Sequence, residues 1–97
     1  MKKTNQSNRI TIGALESAVT QLNLLADQPT HYRNEHPEAI PGAINVGHYY
    51  IDQAYGGYKL VQVVSSTGGI RDISHDGYGT KKQLWAFVQA YIDGLSL

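Results

Sequence analysis

Two Gly-Gly pairs, Gly56-Gly57 and Gly68-Gly69, interrupt a stretch otherwise dense in Val, Ile and Tyr. Glycine reaches positive φ without a Cβ clash, so tight reversals concentrate on such pairs. They divide the stretch into runs at 44–52, 58–65 and 70–75, each of strand length and rich in residues that suit a pleated surface. Connections this short permit antiparallel neighbours only, because a parallel pair needs a long crossover. A three-stranded antiparallel meander is therefore predicted.

The flanks change period. Ile12, Leu15, Val19, Leu22 and then Leu25 or Ala26 recur every three to four residues, which predicts a helix over 11–26. Thr11 serves as its N-cap, and Pro29 closes the segment. After the meander, Thr80 and Gln83 have capping-box spacing, and Leu84, Phe87, Val88, Tyr91, Ile92 and Leu95 follow a second helical stripe. Gly94 suits its C-terminal stop. The predicted class is α+β in the order α-β-β-β-α, two helices on one face of the sheet. Its core takes Leu15, Val19, Leu22, Leu84, Phe87, Val88, Ile92 and one set of strand residues. Ninety-seven residues make one domain, 11–97, behind a polar segment 1–10 expected to be flexible.

Residues 27–43 hold all three prolines and show no periodicity. A connection of this length is functional or mobile, or else an ordered wrap tying helix to sheet. The sequence leaves both open.

A loop over 53–57 would pair Asp52 with Tyr58. One sheet face then carries Val46, His48, Tyr50, Tyr58, Leu60, Gln62 and Val64; the other carries Tyr49, Ile51, Lys59, Val61 and Val63. Neither face is cleanly polar, and two amphipathic helices cover only one, so an exposed apolar and aromatic strip is expected. A β-bulge near the glycines would instead shift the parity and bring Ile51 and Leu60 to one buried face. Tyr50, Tyr55 and Tyr58 are the expected protein-binding anchors, with Tyr49, Val61 and Val63 on the same strip.

Reaction chemistry is sparse. The chain has no cysteine, hence no disulfide and no thiol nucleophile. His31, Glu35 and His36 in "HYRNEH" miss both zincin spacings and are flanked by proline. His48, His75 and Asp76 make a catalytic arrangement only if a pocket gathers them with a nucleophile or substrate. The expectation is a protein without enzymatic activity, cofactor or metal. Eight Lys and Arg balance eight Asp and Glu, so the general basic excess of nucleic-acid binders is missing. No apolar window approaches a membrane span, and the two early lysines precede no apolar run; a cytoplasmic location is expected.

Two resemblances add context. "DGYGTKKQL", residues 76–84, resembles the turn before the last helix of double-stranded RNA-binding domains, which share the α-β-β-β-α order. It implies nucleic-acid binding through Lys81, Lys82 and Arg71, although Trp85 and Phe87 stand where that family has alanines. Tyr50, Ile51 and Asp52, "AYGGYKL", "GGIRDIS" and "TKKQLWAFVQAYIDG" resemble small uncharacterised proteins encoded by phages and mobile elements. That resemblance covers roughly 44–95 and implies an accessory product acting by binding, possibly on a host factor. Protein binding is the first expectation, with homodimerisation through the strip or an edge strand as one form of it. Nucleic-acid binding is the second.

Overall fold

The computed structural model describes residues 9–74 and 77–95. His75 and Asp76 therefore lie outside the described residues, as do 1–8 of the expected flexible segment. The element order is α1 (Ile12–Leu25), β1 (Tyr49–Ala54), β2 (Gly57–Val63), β3 (Ile70–Asp72) and α2 (Lys81–Leu95). This is the α+β, α-β-β-β-α arrangement, with a three-stranded antiparallel sheet in the order β1-β2-β3.

Both helices begin on the caps their sequences carry. The Thr11 hydroxyl accepts from the Ala14 N–H at 3.1 Å. Thr80 and Gln83 exchange bonds reciprocally: the Thr80 N–H donates to Gln83 Oε1, and the Gln83 N–H to Thr80 Oγ1. Each arrangement satisfies backbone donors that the first helical turn leaves unpaired. At its far end α1 stops in a left-handed residue, Asp27, with φ 58°. The Asp27 N–H bonds Leu24 and the Gln28 N–H bonds Asn23, the paired bonds of a Schellman stop. Gly94 does not terminate α2, which runs through Leu95. A glycine one residue from a helix end costs little there.

α1 packs against β1, α2 against β2, and the helices against each other. Leu15, Val19 and Leu22 meet Leu84, Val88 and Ile92 over Tyr49 and Leu60. Ala26 rather than Leu25 continues the apolar stripe of α1; Leu25 is half exposed.

The strand register differs from expectation by one residue. Gln53 pairs with Tyr58 and Ala54 with Gly57, leaving a two-residue turn of Tyr55 and Gly56. Both turn residues have positive φ, 54° and 75°, the twist-matched hairpin turn. A one-residue slip moves every side chain of one strand to the opposite face. Tyr49 and Ile51 thus share the helix-facing side with Tyr58, Leu60 and Ile73. The parity shift anticipated for a bulge is achieved by a shorter turn.

The expected exposed strip on the second face is closed. Val61 and Val63 point away from the helices yet are only 0% and 1% exposed. On that face Tyr32 of the long connection packs edge-on against Tyr50, the cross-strand partner of Val61, at 5.2 Å, and His48, just before β1, stacks on Tyr50 at 5.9 Å. Residues 27–43 are thus the ordered wrap. An antiparallel bridge joins Arg33 to Ile44, and the Asn45 side chain donates to the carbonyls of His31 and Arg33. At the hairpin end the Tyr78 hydroxyl donates to Asp52 at 2.7 Å, and Lys59 pairs with Asp72 at 3.0 Å.

Candidate functional site

A sheet of three strands has two edges, and here they differ. β3 is three residues long and wholly exposed. β1 is longer and borders α1, so its outward backbone groups face a wall rather than open solvent.

Antiparallel pairing directs the N–H and C=O of alternate residues to opposite sides of a strand. Tyr49 fixes the phase of β1. Its N–H donates to Asn23 Oδ1 at 2.9 Å, and its C=O accepts from Asn23 Nδ2 at 3.0 Å, so Tyr49 faces outward. Ile51 and Gln53, at +2 and +4, face outward as well. β2 agrees: their partners Leu60 and Tyr58 direct backbone bonds away from β1, to Ser74 and Ile73 and to Gly79. Among the described residues no backbone or side-chain group caps Ile51 or Gln53 as Asn23 caps Tyr49.

This open stretch lies in a groove of about 280 Å³ between β1 and α1. Glu16, Val19, Thr20 and Asn23 form the helix wall; Tyr49, Ile51 and Gln53 form the strand wall. Positions 16, 19, 20 and 23 fall on one helix face because 3.6 residues complete a turn. His48 and Thr30 close the Tyr49 end. His48 Nδ1 lies 2.8 Å from the Pro29 carbonyl, which can only accept, so Nδ1 carries a proton. That orients the ring and makes the 3.5 Å approach of Asn23 Nδ2 to the same atom a contact rather than a bond. His48 is thereby a structural clasp between the wrap and β1.

The surrounding tyrosines are held in their neutral form. Burial, then the hydroxyl bond to Tyr91, pushes Tyr49 up to about 12. Tyr50 is raised by burial and by nearby Tyr32 and Asp52, and Tyr78 by its bond to Asp52.

A larger cleft, about 350 Å³, lies between α2 and the turn before it, lined by Tyr58, Ser74, Gly79 and Gln83 among others. Its polar groups are engaged: Tyr58 and Gly79 exchange backbone bonds, and Gln83 serves the cap. The groove beside β1 differs in having outward backbone pairs that no described residue caps.

The residues expected to bind protein are scattered. Tyr49 lies in the helix-facing core at 5% exposure, and Val61 and Val63 are fully buried on the opposite face. None of the three is available at the surface, because the register places Tyr49 inward and both valines are buried. Tyr50 is half-buried against Tyr32, and Tyr58 packs on the core. Tyr55 alone stands clear, 96% exposed at the hairpin tip, with its ring edge toward Tyr78.

The basic residues are also separated. Lys81 sits 6.0 Å from the Tyr58 ring at the start of β2, and Lys82 is exposed on the same helix start. The Arg71 guanidinium donates to Gln62, four residues further along β2, roughly 13 Å away. They form no single patch. In the wrap, His36 Nδ1 accepts from the Glu38 N–H and His31 Nδ1 meets the Thr30 hydroxyl, each in a local turn. Among the described residues no cluster of three or more His, Asp or Glu is placed to hold a metal, and no helix is long and apolar enough to cross a membrane.

Sequence reasoning missed Asn23, Ile51 and Gln53 as a unit. Asn23 was the available signal: an amide four residues after Val19, beside the apolar stripe, with a burial that demands partners. No family model, curated protein or solved structure matches this chain.

Proposed function

We propose that this chain is a non-enzymatic binding module that captures an extended segment of a partner protein by strand addition to β1. The observation that carries it is the backbone of Ile51 and Gln53, uncapped among the described residues and facing the α1 groove, beside a Tyr49 already capped by Asn23. Main-chain bonds supply affinity in this mode, and alternate side-chain sites supply selectivity. The edge is short and walled by a helix, which blunts indiscriminate sheet-to-sheet pairing. Tyr55 stands at the open end of the same edge, where an entering segment would pass it. The resemblance of residues 44–95 to phage and mobile-element proteins supports an accessory role on a host protein. A cysteine-free chain suits the reducing cytoplasm.

The test is selection from a displayed library of random ten-residue peptides, followed by amide-resonance mapping on the labelled chain. Expected binders shift the Ile51 and Gln53 amides first. Gln53→Pro then removes an outward donor without a ladder bond and weakens those binders about ten-fold. The proposal fails if no peptide is enriched, or if enriched peptides leave both amides unmoved.

A further inference from the structure

We infer that the groove beside β1 selects an extended segment carrying an aliphatic residue and, two positions away, a lysine or arginine. This rests on strand addition at β1 and names the partner's chemistry. Asn23 lies against Tyr49, and Glu16 shares the groove with Gln53, so α1 and β1 run in opposite directions along it. With a rise of about 1.5 Å per helical residue, Val19 and Thr20 lie about 5 Å from Asn23 along the axis, and Glu16 about 10 Å. With about 3.4 Å per strand residue, Ile51 lies about 7 Å from Tyr49 and Gln53 about 14 Å.

An added strand therefore places the side chain opposite Ile51 over Val19 and Thr20, and the one opposite Gln53 beside Glu16. The first position is bounded by a methyl-rich wall and Ile51 itself. The second meets a carboxylate with no ion-pair partner among the described residues. Among the described residues Glu16 is the one acidic residue lining the groove, and no Lys or Arg lines it. A cation there gains an attractive partner, while an acidic residue meets repulsion in a partly enclosed site. The spacing of two holds whichever way the segment runs, because alternate residues share a face. Pairing with β1 of a second copy fits less well, because its outward residues on that face, Tyr49, Ile51 and Gln53, bring no cation to Glu16.

The deciding experiment repeats the peptide selection with the parent chain, Glu16→Gln and Glu16→Lys. Glu16 is exposed and has no ion-pair partner among the described residues, so both variants keep the fold. The expected result is a cation two residues from an aliphatic in peptides selected on the parent chain, replaced by Asp or Glu in those selected on Glu16→Lys. Glu16→Gln should weaken the parent's peptides about two- to five-fold, and added salt should erase the difference. Peptides that shift the Ile51 and Gln53 amides yet show no charge preference would overturn this inference and leave strand addition standing. Peptides that never reach those amides would overturn both. Shifts of the same amides with protein concentration alone would make a second copy the occupant, and the cationic segment would be wrong.

Discussion

The side chain of Asn23 pairs with the backbone of Tyr49 as a neighbouring strand would, accepting from its N–H at 2.9 Å and donating to its C=O at 3.0 Å. One amide thus caps one repeat of a sheet edge, while no described residue caps the next two. Asn23 is itself fixed, because its own carbonyl takes the Gln28 N–H in the helix stop.

Asn23→Ala should cost about 2–4 kcal/mol, since it leaves both Tyr49 groups buried without partners. Asn23→Asp separates geometry from volume. Its second oxygen would face the Tyr49 carbonyl and repel it until protonated, so the native state raises this carboxyl's pKa. The added proton is bound more tightly when folded, and stability is lost as pH rises above the unfolded value of about 3.9. Urea midpoints of Asn23→Asp, taken relative to the parent chain, should climb as pH falls from 7 to 4. A midpoint difference independent of pH would contradict this pairing.

The hairpin turn stores strain at Tyr55, whose φ of 54° is unusual for a bulky residue. Tyr55→Asn should raise stability by about 0.5 kcal/mol, or a few degrees in thermal midpoint, because asparagine tolerates the left-handed region. Gly56→Ala at φ 75° should lower it by about 1 kcal/mol. Equal and unchanged midpoints for the two variants would refute the turn geometry.

Gly57 has no room for a side chain. An added Cβ would sit 2.7 Å from Tyr78 Cβ and 3.2 Å from the Gly79 oxygen. Gly57→Ala should cost about 1–3 kcal/mol by overpacking. It should also speed amide exchange at Tyr58 and Gly79, which bond each other across this contact. Wild-type protection at both amides would rule the close approach out.

Alkaline pH should destabilise the fold through Tyr49. Its folded pKa, about 12, exceeds the ordinary 10 because the ring is buried and its hydroxyl bonds Tyr91. Below pH 10 both states keep the proton and stability is complete. Between pH 10 and 12 the unfolded chain releases it while the folded chain does not, so stability falls by on the order of 2 kcal/mol. Tyr50, Tyr78 and Lys59 are raised too and act in the same direction. Urea midpoints between pH 9 and 12 should fall less steeply in Tyr49→Phe. An unchanged slope in that variant would exclude Tyr49 as the cause.

Helices, caps and strand order could all be read from local pattern. Thr11, Thr80 and Gln83 cap through atoms a few residues away, and the stripes of α1 and α2 depend only on a 3.6-residue period. The register could not be read the same way. Tyr55 gives no local sign that it will accept positive φ, so the sequence predicts a five-residue loop where the turn has two.

What the sequence determined by itself is therefore the set of elements and their order, because propensity, capping and periodicity act within one turn of helix or one run of strand. Tertiary structure alone decided the faces, the cover over Val61 and Val63, and the open edge at Ile51 and Gln53. The physical reason is that each of these depends on which distant groups meet: Tyr32 with Tyr50 across 18 positions, Asn23 with Tyr49 across 26. Such meetings are fixed by packing the whole chain at once, and a hydrophobic pattern that fits either face of a sheet cannot choose between them.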